Sequence, residues 1–175
     1  MHLRAANQSD ILAIASLHAA SWRHAYRGAL SDAYLTGDIE ADRTAAWTQR
    51  LRSPGTDQFV TVAEENEQIT GFACAFSGSD PVYGTLLDNI HVSLSKQRQG
   101  IGSRLLQQVA NWCAAKAPDQ GLYLWVIQSN VTAQHFYEAL GAKNVGTDVW
   151  VPPGGGAVPR FCYAWEKVHA LLPKG

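Results

Sequence analysis

Apolar positions along the chain alternate between two periods. Ile11, Ile14, Ala15, His18 and Trp22 recur at helical spacing behind Asn7 and Asp10, which predicts a first helix whose region ends at Gly28. A second helical stretch runs from about Ile39 to Leu51 and is stopped by Ser53-Pro54-Gly55. His2–Ala5, Phe59–Ala63, Ile69–Phe76 and Leu86–Val92 read as strands, with Glu64-Glu65-Asn66-Glu67 turning between the second and third. Ile101, Leu105, Val109 and Cys113 fall four apart within Gly100–Lys116, a clear helical stripe closed by Pro118. Leu122–Ile127 is almost wholly apolar, as a strand buried on both faces should be. Val131–Leu140 reads as a helix stopped by Gly141, and Lys143–Val151 with Ala157–Val168 reads as a hairpin around Gly154-Gly155-Gly156. The predicted order is β-α-α-β-β-β-α-β-α-β-β, an α/β class with a β-α-β-α unit at its centre.

A length of 175 residues fits one domain spanning residues 1–175. Composition is that of a globular protein, and a net charge of -1 with no long basic run argues against nucleic acid as a partner. No segment has the length and apolarity of a membrane span, so no membrane partner is expected. Cys74, Cys113 and Cys162 are far apart in apolar stretches, with no metal-ligand spacing. They read as buried thiols of a protein in a reducing, cytoplasmic compartment, and no metal is expected.

The most informative segment is Leu86–Leu106. A strand runs into Gln97-Arg98-Gln99-Gly100-Ile101-Gly102, and a helix starts at once. The first turn of a helix carries unpaired N–H groups and the positive end of the dipole. Two glycines, Gly100 and Gly102, remove side chains so that an anion can approach those amides, and pyrophosphate is the natural guest. The same pair could merely ease a tight turn. A dinucleotide fingerprint fails at Leu105, and no Gly-Lys-Ser/Thr triplet marks a Walker loop.

The stretch Val92–Gly102 resembles the acetyl-CoA loop of the GCN5-related N-acetyltransferase (GNAT) superfamily, Q/R-x-x-G-x-G/A, with Gln97, Gly100 and Gly102 in place and Leu94 where a proline is common. A second segment, Leu124–Gly141, resembles that family's N-x-x-A-x-x-F-Y-x-x-x-G run through Asn130, Ala133, Phe136, Tyr137 and Gly141. The resemblance implies a mixed, mostly antiparallel sheet splayed at its middle strands, with helices on both faces. It implies acetyl-CoA as acyl donor, held by backbone amides of Gln97, Arg98, Gln99, Gly100, Ile101, Gly102 and Ser103. The strand end Ile90, His91 and Val92 would take the pantetheine arm, with Asn130, Phe136 and Tyr137 beside it. The implied reaction is direct attack by a primary amine of a small molecule or peptide, with Tyr137 near the departing sulfur.

Two magnitudes constrain the chemistry. A phenol of pKa about 10 is a poor proton source for a thiolate of about 8.5, by roughly 2 kcal/mol, so Tyr137 is better suited to hydrogen-bond donation. An amine of pKa about 10.4 is free base in only about one molecule in 2,500 at pH 7, so a base or a water chain is useful. The glutamate that some family members carry on the central strand is Leu86 here. Asp88 and His91, placed by strand period on opposite faces, are the candidate bases. Trp22, His24 and Tyr26, with His18 nearby, are candidates for the acceptor wall, although Trp22, Trp125 and Trp150 also suit a core. A homodimer is compatible with the resemblance. The alternatives are a non-catalytic acyl-CoA-sensing module of the same fold, which the missing glutamate allows, and an unrelated nucleotide-binding α/β protein.

Overall fold

A computed structural model describes residues 1–172. Strand β1 (His2–Ala5) leads through a short 3-10 turn into α1 (Ile11–Ala25). Asn7 caps that turn in a capping box with Asp10. Between α1 and α3 (Ile39–Arg52) lies a five-residue helix, α2 (Asp32–Thr36), capped by Ser31. It is too short to leave a periodic signal, which is why the sequence pattern passes over it. Strands β2 (Gln58–Glu65), β3 (Gln68–Asp80) and β4 (Gly84–Val92) follow, with positive φ at Asn66 and Glu67 in the first hairpin turn. Then come α4 (Ile101–Lys116), β5 (Leu122–Ile127), α5 (Val131–Ala139), β6 (Lys143–Trp150) and β7 (Val158–Trp165).

The seven strands form one open sheet in the order β1-β2-β3-β4-β5-β7-β6. Every pairing is antiparallel except β4 with β5. That parallel pairing holds only at Thr85–Leu122 and Leu86–Tyr123, beyond which the two strands part. The expected mixed sheet with a splayed middle is therefore what the chain forms. One face packs α4 and α5 through Leu105, Val109, Leu124, Val126 and Tyr137. The other packs α1 and α3 through Ile14, Trp47, Val62 and Phe72. All three cysteines are buried and unpaired.

Candidate functional site

The amides come first because they are local to the chain. After β4 the backbone makes a 3-10 turn at Leu94–Lys96, then takes a left-handed conformation at Arg98 (φ 62°) and Gly100 (φ 77°) before α4 begins. Gly100 stands at the N-cap, where a glycine supplies no capping side chain. Among the described residues, no backbone N–H from Gln97 to Ser103 finds a backbone or side-chain acceptor, and the first helical bond is from Arg104 to Gly100. A Cβ at Gly100 would meet no protein atom within 4 Å, whereas one at Gly102 would sit 3.3 Å from Phe136 Cζ. The loop thus presents a run of free donors over open ground, with Phe136 of α5 as a wall on one side.

The strand end complements this. The Ser93 N–H bonds to Thr70 O, so in the antiparallel alternation His91 faces Phe72 in a bonded pair. Ile90 and Val92 then turn their N–H and C=O groups away from β3, toward the split where β5 has diverged. Val92 O is approached by Gln97 Nε2 at 3.5 Å. Across the split, Asn130 caps α5 by accepting from Ala133 N at 3.2 Å. Tyr137 is buried, and its hydroxyl bonds to no protein group among the described residues. Burial, with the Tyr26 hydroxyl nearby, holds the Tyr137 phenol well above the usual phenol range.

On the α1/α3 face lies a cleft of about 480 Å3 whose wall includes Trp22, Tyr26, Leu86, Asp88, Asn89 and His91. Asp88 and His91 therefore share a face, which corrects the expectation from strand period. The ladder pairs Cys74 with Asn89 and Ala75 with Leu87, leaving Asp88 as the extra residue of a β-bulge. A bulge shifts the alternation by one, and so brings Asp88 beside Asn89 and His91. The Asp88 carboxylate is tied to Arg50 at 2.6 Å and accepts from the Asn89 amide. Leu86, where a strand glutamate was looked for, does face this cleft.

His18 and His91 stack with ring centroids 4.6 Å apart. His18 is fully buried, and its Nδ1 accepts from Trp47 Nε1 at 3.0 Å. An indole N–H can only donate, so the neutral His18 ring carries its proton on Nε2, which finds no acceptor among the described residues. Burial, then the charges of His91, Arg43 and Arg50, push His18 well below its ordinary range. Burial and Arg43 push His91 down to about 4. Both rings are neutral at pH 7. The unfolded chain takes up protons near pH 6.5 while the folded one does not, so stability is fully present above about pH 6.5 and declines as pH falls toward 4. Urea midpoints should drop across that window, and less so in His91→Gln. An equal drop in both proteins would remove His91 from the account.

His24 is exposed and takes no part in the cleft wall, unlike Trp22 and Tyr26. Trp22 and Tyr26 stand one turn apart on α1, and His24 lies about 200° round the helix from Trp22. Trp125 and Trp150, which also suited a core, line the cleft as well. Sequence reasoning missed Arg43, Arg50 and Arg160. The guanidinium groups lie over Trp22 (4.5 Å), Trp47 (5.0 Å) and Trp125 (4.2 Å) respectively. A signal existed: Arg43, Trp47 and Arg50 are spaced i, i+4, i+7 and share one helix face. The glycine loop after β6 is also more than a hairpin tip. A Cβ at Gly154 would lie 2.7 Å from Tyr34, so the loop seats against α2 and brings Pro153 to the cleft.

An open sheet split between β4 and β5, with a helix that starts bare-amided at the split, is the architecture of the GNAT fold. The model of the Acetyltransferase (GNAT) family matches residues 17–142, and the chain belongs to that family. It is 29% identical, over all of this chain and 97% of the other, to the Mycobacterium tuberculosis protein named "Probable N-acetyltransferase Rv2775". The fold is shared with the PaiA N-acetyltransferase of Thermoplasma acidophilum, solved in complex with coenzyme A (TM-score 0.74, 18% identity, 94% of this chain and 98% of that one). It is shared too with YncA of Salmonella typhimurium, solved with its cofactor acetyl-CoA (TM-score 0.68, 20% identity, 95% and 93%). Among the described residues no cluster of three or more His, Cys, Asp or Glu side chains could hold a metal, and no helix is long and apolar enough to cross a membrane.

Proposed function

We propose that the chain is one N-acetyltransferase domain that moves an acetyl group from acetyl-CoA to a primary amine by direct attack. The observation that carries this reading is the run of acceptor-free N–H groups from Gln97 to Ser103, set where β4 and β5 part. A diphosphate fits that run, because it offers oxygens to every donor and its charge suits the start of α4.

Acetyl-CoA supplies the acetyl group already activated as a thioester. The amides of Gln97–Ser103 hold the diphosphate, while Ile90 and Val92 bond the pantetheine arm as an added strand would. The Val92 N–H polarises the thioester carbonyl, and Asn130 and Phe136 flank the arm. Trp22 and Tyr26 wall the acceptor. As the C–N bond forms and the C–S bond breaks, the sulfur leaves with its electron pair and Tyr137 steadies it by hydrogen bonding. Neutral His91 accepts a hydrogen bond from the attacking nitrogen. A base of pKa about 4 does not stay protonated at pH 7, so the surplus ammonium proton leaves through water beside Asp88.

Calorimetric titration and thiol release test the reading together. Coenzyme A should bind at micromolar concentration, ATP and NAD should not, and acetyl-CoA should release thiol with some members of a broad amine panel. Binding without release across the panel would favour the acyl-CoA-sensing alternative. No binding would remove the reading.

A further inference from the structure

The acceptor cleft presents guanidinium groups where an amine acceptor would itself arrive as a cation. Arg43, Arg50 and Arg160 line it against one carboxylate, Asp88. Asp42 and Asp148, the partners of Arg43 and Arg160, stand outside the wall. Arg50 is committed to Asp88. Arg43 is paired just as closely, but with Asp42, which is not a carboxylate of the cleft wall. Of its five N–H donors, only one side-chain bond, to Asp42 at 2.7 Å, is made among the described residues, and its Nε has no acceptor. The guanidinium lies over the Trp22 ring at 4.5 Å, and its charge reaches His91. The remaining wall is aromatic. Trp22 lies 5.2 Å from Tyr26 and 5.7 Å from Trp150, between ring centroids.

A simple alkylammonium would find Asp88 already tied to Arg50 and would leave the spare Arg43 donors without an acceptor. A molecule that also carries a carboxylate would supply one, because its anion can take the Arg43 fork while its apolar body lies on the indoles. Resting on the acetyltransferase reading above, we propose that the acceptor is a small amino acid-like molecule: a primary amine carrying a nearby carboxylate and an apolar or aromatic body, with Arg43 as the carboxylate-binding residue.

The test compares amines that differ only in the carboxylate: phenylalanine with phenethylamine, tryptophan with tryptamine, and leucine with isoamylamine. Each is titrated calorimetrically into the coenzyme A-saturated protein and assayed for thiol release with acetyl-CoA. In at least one pair the carboxylate-bearing member should bind about tenfold tighter or better, with the difference appearing in KM. Arg43→Gln should close that gap, and Arg43→Lys, which keeps the charge and loses the fork, should close it in part. Equal or tighter binding of the decarboxylated members in every pair would overturn the proposal, as would absence of binding by all six compounds. A gap that survives in folded Arg43→Gln would overturn the role of Arg43. The coenzyme A titration alone judges the acetyltransferase reading, so the two failures are distinct.

Discussion

Tyr137→Phe is expected to lower kcat about 10²-fold while leaving coenzyme A affinity within about twofold. The side chain is buried among Phe136, Tyr163 and Trp165, with ring centroids 5.3, 6.4 and 6.2 Å away, and Phe fills the same volume. The hydroxyl has no protein partner among the described residues, so removing it strands no donor or acceptor and thermal stability should hold. On the proposed mechanism, what is lost is a hydrogen bond made only as charge develops on the leaving sulfur, which is the kind of contact that appears in kcat. The phenol is held above its usual range, which makes outright proton transfer less favourable still and leaves donation as its role. The plateau rate should therefore show no limb from Tyr137 ionisation below pH 9. Unchanged turnover in a folded Tyr137→Phe protein would remove the residue from the chemistry.

Gly102→Val should weaken coenzyme A binding by about 10²-fold or more, as expected when two charge-assisted bonds to a phosphate are lost. A Cβ at this position already lies 3.3 and 3.6 Å from two Phe136 ring atoms and 3.9 Å from Val92 Cγ2. The γ-carbons of valine can go only against Phe136 or out over the amides of the first turn. The fold should survive, since Gly102 is half-buried within α4 and valine has better helix propensity than glycine. Circular dichroism and a melting curve separate lost binding from lost structure. A folded variant with wild-type affinity would show that the diphosphate does not sit on this turn.

The two halves of the site differed in how legible they were, and the reason is chain separation. Gln97 to Ser103 is one continuous segment, and the diphosphate-binding role proposed for it rests on local properties: two glycines, a strand before, a helix after. The conformations there, left-handed at Arg98 and Gly100, are set by neighbours in sequence. The acceptor cleft draws on α1, α3, β4, β5 and the loop after β6, so no window of sequence contains it. Arg43 and Arg50 read locally as the polar face of a surface helix. Only packing of α3 over β3 and β4 turns that face inward.

What the sequence alone determined is every named strand and helix except the short α2, together with the family motifs and the amide-rich turn, because periodicity, helix starts and glycine conformations are governed by interactions a few residues long. The tertiary structure decided which side chains meet. The bulge that places Asp88 with His91 depends on how β4 registers against Cys74 and Ala75 of β3, and the neutrality of His18 and His91 depends on burial beside Arg43 of a different helix. Register, burial and charge proximity are sums over residues distant in sequence, and they acquire values only once the chain has closed on itself.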